Sequence, residues 1–219
     1  MRYRRDKLKL DLQPLTYSMY LWRKLDDKQR AELLAFRQFN NRPWHSPHHR
    51  ESQNGRYLCI AACFEHQPVV GSNPKRLAGF AERLLKTLEG RCEEIYAWCA
   101  LPNHYHALAL TRQLPELLAD IGRLHGRTSF DWNGEDGKRG RKGWFNCAET
   151  AMKSDRHFWA TLNYVHHNPV RHGYVKLWPD WPFSSGGAFL KQVGREKAAE
   201  LWKEYRIDDY GKDWDPPEM

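Results

Sequence analysis

Ile95-Tyr96-Ala97-Trp98-Cys99-Ala100-Leu101-Pro102-Asn103-His104-Tyr105-His106-Ala107-Leu108-Ala109-Leu110-Thr111 is the stretch on which the fold turns. Ile95 to Leu101 and His104 to Thr111 are apolar runs of strand length. The link between them is only Pro102-Asn103, so the two strands are expected to pair as an antiparallel hairpin. On either side the period changes to that of a helix. Upstream, Asn73 offers an N-cap with Pro74 in the first turn, and Leu77, Phe80, Leu84 and Leu88 recur at helical spacing until Gly90. Downstream, Leu114, Leu117, Leu118, Ile121 and Leu124 mark a second helix, ending between Gly126 and Trp132. Tyr57 to Phe64 suits a buried strand, and Trp144 to Thr150 reads as a last strand. Asp155 to Asn168 reads as a third helix with Phe158, Trp159, Leu162 and Val165 on its apolar face, stopped by Pro169. The order strand, helix, strand, strand, helix, strand, helix predicts an α+β fold. We expect a ferredoxin-like sandwich, a central antiparallel sheet with helices packed on one face, carrying N- and C-terminal extensions.

The regular pattern spans residues 57–190. Residues 1–56 read as a basic extension with one helix, from about Asp26 to Phe39, followed by a breaker-rich loop. Residues 191–219 form a second extension. With 219 residues, 41% hydrophobic, and ten Trp, ten Tyr and nine Phe, the chain can bury a substantial core, which excludes a disordered tail. Its longest apolar runs, such as Trp98 to Leu101 and Ala107 to Leu110, fall far short of the roughly 20 residues that span a bilayer, so no membrane association is expected. Five cysteines without a C-x-x-C pair suggest neither a disulfide framework nor a cysteine zinc site, which points to the reducing cytoplasm. The net charge of +8 is uneven: residues 1–56 carry 13 Lys and Arg against 6 Asp and Glu, while the remainder is close to neutral. That asymmetry suits a polyanionic partner, although a solvated basic surface would look the same.

His104 and His106 start the second strand of the hairpin, where the period of two puts both imidazoles on one face, able to bind one metal ion. An H-x-H triplet is a weak signal in a chain with eleven histidines. The third helix supplies Tyr164 and Asn168, four residues apart and therefore on one side of the helix. On the residues alone, Tyr164 reads as an amphipathic tyrosine at a helix–sheet seam and Asn168 as a helix-ending residue before proline. Asn168 also offers a carboxamide oxygen of the kind that hard divalent ions take.

Two phrases carry a resemblance. Leu101-Pro102-Asn103-His104-Tyr105-His106 resembles the PNHxH signature of the single-tyrosine HUH transposases. Tyr164-Val165-His166-His167-Asn168-Pro169-Val170-Arg171-His172-Gly173 resembles the YIHxNPVRAG signature of their REP-associated branch. Trp181-Pro182-Phe183-Ser184-Ser185 is similar to the aromatic-Ser-Ser phrase that follows there, so the likeness covers roughly residues 57–190. Tyr105 and His172 depart from the usual residues at their positions. The resemblance implies cleavage and rejoining of single-stranded DNA near hairpins, with Tyr164 as nucleophile and His104, His106 and Asn168 as ligands of magnesium or manganese. ATP and nucleotide cofactors are not required, because a phosphotyrosine link conserves the energy of the broken bond. His166 and His167 are the nearest candidates in sequence for proton transfer. Arg4, Arg5, Lys138, Arg139, Arg141, Lys142 and Arg171 are candidates for phosphate contact, with Trp144 as a stacking platform beside the basic loop. One tyrosine makes one cut, so excision implies a homodimer or two recruited copies. Two other readings remain open at this level: a hairpin-binding protein that does not cut, and an HUH replication-initiator nickase.

Overall fold

The computed structural model describes residues 54–208 and 210, and, ahead of them, residues 26, 28, 29, 31, 32 and 35. Four strands, β1 (Arg56–Ala62), β2 (Glu94–Ala100), β3 (His104–Leu110) and β4 (Ala148–Ala151), form one sheet in the order β2-β3-β1-β4. Every neighbouring pair is antiparallel. The principal helices are α1 (Pro74–Glu89), α2 (Leu114–Glu135) and α3 (Asp155–Arg171). Two shorter ones, α4 (Gly186–Val193) and α5 (Arg195–Glu204), follow. This is the ferredoxin-like βαββαβ arrangement expected from the sequence, with three helices added after it.

The chain divides into two compact units, Met1–His48 with Gly211–Pro216, and His49–Tyr210 with Pro217–Met219. In the first, Lys28, Gln29, Ala31, Glu32 and Ala35 are helical. Asp26 starts that helix with a reciprocal cap, since the Gln29 N–H donates to Asp26 Oδ1 at 2.8 Å and the Asp26 N–H donates to Gln29 Oε1 at 3.0 Å.

In the second unit the helices cover both faces of the sheet rather than one. Alternation along β3 explains why. Tyr105 and Ala107 join Leu77, Phe80, Leu84, Leu117 and Ile121 in a core beneath α1 and α2. Leu108 joins Leu58, Ala97, Cys99, Phe158, Leu162 and Val165 in a second core beneath α3. A strand whose two sides are both apolar calls for cover on both, and α3 supplies the second layer.

Several boundaries differ from expectation; β1 ends at Ala62, because Phe64 already opens a 3-10 turn over Phe64–His66. The α2 helix runs on through Gly126 to Glu135, because Thr128, Trp132 and Asn133 continue its buried side. The last strand begins at Ala148 rather than Trp144, which makes only an isolated bridge to Cys63. Pro169 does not stop α3 but lies inside its last turn. The helix ends where Gly173 turns left-handed at φ +70°, and there the Tyr174 N–H returns to the Pro169 carbonyl at 2.9 Å. All five cysteines are free, as expected, and burial pushes Cys63 up to about 12.

The β2–β3 link is held in place by a close backbone approach. The Gly71 N–H donates to the Pro102 carbonyl at 2.8 Å, and a Cβ on Gly71 would stand 2.3 Å from Pro102 Cβ and 2.6 Å from its Cα. Gly71→Ala is expected to cost about 2 kcal/mol through overpacking at a rigid contact. A lowered urea midpoint with an unchanged m-value checks it.

Candidate active site

His104 opens β3 at the point where the sheet emerges from under α3. Asn103 fixes it there. The Asn103 carbonyl accepts the Cys63 N–H at 2.7 Å, its Nδ2 donates to the His66 carbonyl at 3.3 Å, and its Oδ1 accepts from His104 Nδ1 at 2.7 Å. Because the Nδ1 proton is committed to Asn103, the Nε2 lone pair of the neutral ring is the one left to face outward. It meets Oδ1 of Asn168 at 3.1 Å. His106 stands beside it, with ring centroids 5.0 Å apart, and packs on the Tyr164 ring at 5.2 Å. His104, His106, Tyr164 and Asn168, placed far apart along the chain, are thus brought to one point and are all buried.

Two acceptors converging at 3.1 Å are suited to a cation between them. Cis donors of an octahedral ion with bonds of about 2.1 Å lie roughly 3.0 Å apart. Two imidazoles and a carboxamide oxygen therefore fit a divalent ion. Among the described residues no three His, Cys, Asp or Glu side chains cluster as metal ligands.

Tyr164 has no exposed surface. It lies between His106 and Tyr210, whose ring is 4.8 Å away and whose hydroxyl is tied to Thr161 at 2.6 Å and to His157 at 3.3 Å. Tyr210 follows α5, and α5 is anchored to α3 by Asn163, whose Nδ2 donates to the carbonyls of Leu201 and Tyr205.

The two histidines considered for proton transfer are placed differently. His166, two residues from Tyr164, points to another side of α3. Its Nε2 bonds Ser185 Oγ at 2.9 Å, its ring stacks on Trp178, and burial holds its pKa down at about 3. It is a neutral clamp on the Ser184-Ser185 segment. His167 packs on Trp202 at 4.9 Å, and its pKa is lowered by burial and then by Arg171.

Trp144 is not a stacking platform. It is 6% exposed, with Phe80 stacked at 5.0 Å and His125 at 4.5 Å, and its Nε1 donates to Thr128. Its position beside a basic cluster suggested the surface, but the core beneath α2 claims it. The cluster itself is divided. Arg141 is half-buried and paired with Asp136 at 2.7 Å. Arg139 lies over Phe130 at 4.4 Å and donates to that residue's carbonyl. Lys138 and Lys142 are exposed, the latter 4.7 Å from the Phe64 ring. Arg171 closes α3, half-buried. Arg4 and Arg5 lie outside the described residues.

The chain is 30% identical to a Haemophilus influenzae protein assigned to the REP-associated tyrosine transposases, over 144 residues that cover 56% of this chain and 74% of that protein. It belongs to that family. A REP-associated tyrosine transposase of Escherichia coli is likewise 30% identical, over 115 residues covering 51% of this chain and 64% of the relative. The solved structure of a REP-associated tyrosine transposase bound to a REP hairpin shares the fold, with a TM-score of 0.52 at 19% identity, covering 69% of this chain and 90% of that one. No family model matches. No described helix is long and apolar enough to cross a membrane.

Around the paired histidines this transposase also places residues that sequence reading left unassigned. His172, at the C-cap of α3, packs on His104 at 4.8 Å. His66 lies 6.5 Å from His104 on a turn where Glu65 and His66 are both left-handed, at φ 55° and 50°. Two such residues in succession cost about 1 kcal/mol or more each, and strain of this kind gathers at functional sites. Asn103 and His172 were visible inside the two signature phrases; nothing in the sequence marked His66.

A polar knot secures the wall next to the site. The guanidinium of Arg76 bonds Asp136 at 2.8 Å, Glu135 at 2.7 Å and the Val69 carbonyl, while Arg141 reaches Asp136 from the basic loop. Hydrogen bonds from Arg76, then from Arg141, hold the Asp136 carboxyl down at about 2 against the opposing effect of burial. Its contribution to stability is complete above the unfolded value of 3.8 and is lost as pH falls through about 2. Asp136→Asn is expected to flatten the fall in stability between those values, measured by denaturant melts across the acid range.

Proposed function

We propose that this transposase cleaves and rejoins single-stranded DNA beside a folded hairpin, with Tyr164 as nucleophile and a divalent ion held by His104, His106 and Asn168. The observation that supports it most is the convergence of His104 Nε2 and Asn168 Oδ1 next to the His106–Tyr164 ring pair. Family membership adds to this, as does the REP hairpin in the solved relative.

A magnesium or manganese ion held by His104, His106 and Asn168 would supply charge neutralisation at the scissile phosphate and in the transition state. Asn103 keeps His104 in the tautomer that turns the Nε2 lone pair towards Asn168 Oδ1, and α3 sets Asn168 and Tyr164 one turn apart on the side facing the histidines. Tyr164 Oη forms the new bond to phosphorus as the bond from phosphorus to the 3′ oxygen breaks. The phenolic proton passes to solvent, and the leaving 3′ oxygen takes one up. A free 3′-hydroxyl later attacks the phosphotyrosine, restores a phosphodiester and releases Tyr164 without ATP. Each chain makes one cut, so excising a segment takes two copies. Lys138, Arg139 and Lys142 are the exposed cations of the basic loop that suit phosphate contact.

One observation favours the second reading, hairpin binding without cleavage: Tyr164 is fully buried, with the Tyr210 ring 4.8 Å away. Labelled hairpin oligonucleotides with manganese, followed by a denaturing gel and protein mass spectrometry, separate the two. The wild type is expected to form an adduct on Tyr164, and Tyr164→Phe to lose it while binding is retained. Tight binding with no adduct under either metal would establish the second reading. Asn103→Ala is expected to reduce adduct formation about 10- to 100-fold, as loss of a partner that orients a metal ligand does, measured as initial rate at saturating metal.

A further inference from the structure

A line of rings runs outward from the active site, and the mechanism above uses none of it. His172 packs on His104. Tyr174 follows at 6.4 Å from His172, Trp181 at 5.4 Å from Tyr174, and Phe183 at 5.5 Å from Trp181. The supports are hydrogen bonds to the backbone and a fixed turn. Gly173 reverses the chain in the left-handed conformation, and the Tyr174 N–H is bonded to Pro169. Trp181 Nε1 donates to the Ala100 carbonyl at 2.9 Å, and the Ala100 N–H donates to the Phe183 carbonyl at 2.8 Å. The shelf is therefore tied to the end of β2, beside the Pro102-Asn103 link that carries His104.

Tyr174 is 39% exposed, one of the few large apolar side chains in the described chain that solvent reaches. An aromatic ring held rigidly at the surface, continuous with a buried site, is more than a stray hydrophobe. An exposed aromatic ring suits an unpaired nucleobase, because every base presents a π-face. Arg171 and Lys176 lie within three residues of Tyr174 and bring positive charge to the same turn.

We propose that Tyr174, backed by His172 and Trp181, is a stacking platform for an unpaired base of the single strand next to the scissile phosphate. This rests on the proposed function and specifies how that site holds its substrate. The platform sets where the flanking strand lies, while the hairpin stem is gripped elsewhere.

The test uses the full chain, manganese, and hairpin oligonucleotides whose single-stranded flank carries 2-aminopurine at successive positions. With the wild type and with Tyr174→Phe, fluorescence at one flank position is expected to be quenched. With Tyr174→Ala the quench is expected to disappear and the flanked hairpin to bind roughly 5- to 100-fold more weakly, while a blunt hairpin binds all three alike. A thermal melt confirms that the variants are folded. Tyr174→Ala binding the flanked hairpin as the wild type does, with the quench intact, would overturn the platform and leave the transposase reading standing. Failure of the wild type to bind any hairpin would remove both.

Discussion

The packing of α3 across the outer face of β2 and β3 is the contact on which the site depends. Leu108 on the sheet meets Leu162 and Val165 on the helix, in a core that also takes in Phe158 and Cys99. Burying such side chains contributes on the order of 2 kcal/mol each, so the helix has little freedom to slide. A shift of one turn, about 5.4 Å, would carry Asn168 out of reach of His104. Apolar burial thus sets a polar geometry of about 3 Å, and Tyr164 is itself part of that core.

The other half of the site is held by backbone chemistry. The Pro102-Asn103 link is too short to fix itself, and it draws its support from β1 and the turn beyond it: Cys63, His66 and Gly71 all bond to it. Those contacts bring the left-handed turn at Glu65 and His66 up to the paired histidines. The strain of that turn is borne where the surrounding structure leaves no alternative, with the His66 carbonyl satisfied by Asn103.

Charge is used in two ways. In the loop after α2, Arg141 is turned inward to Asp136 and joins Arg76 in a network that fastens the loop to the start of α1. Lys138, Arg139 and Lys142 remain outside. A run that looks uniformly basic in sequence therefore separates into structural and solvent-facing residues, decided by which acidic partners the fold brings near. Tyr210 is a second case of a distant residue reaching the site, its ring standing 4.8 Å from that of the fully buried Tyr164.

The sequence by itself determined the order of elements, the hairpin that carries His104 and His106, and the pairing of Tyr164 with Asn168 on one helical side. These follow from local periodicity and spacing, which the chain carries in any context. The helix boundaries were less legible. Pro169 reads as a stop because it lacks a donor, yet in the last turn only one ladder bond is lost, and Gly173 ends the helix instead. Only the tertiary structure decided that the helices cover both faces, that Trp144 belongs to the core, that His166 serves Ser185, and that His66, His172 and Tyr174 surround the site. Each of those depends on contacts between segments far apart in sequence, where packing selects the partner and no periodicity records it.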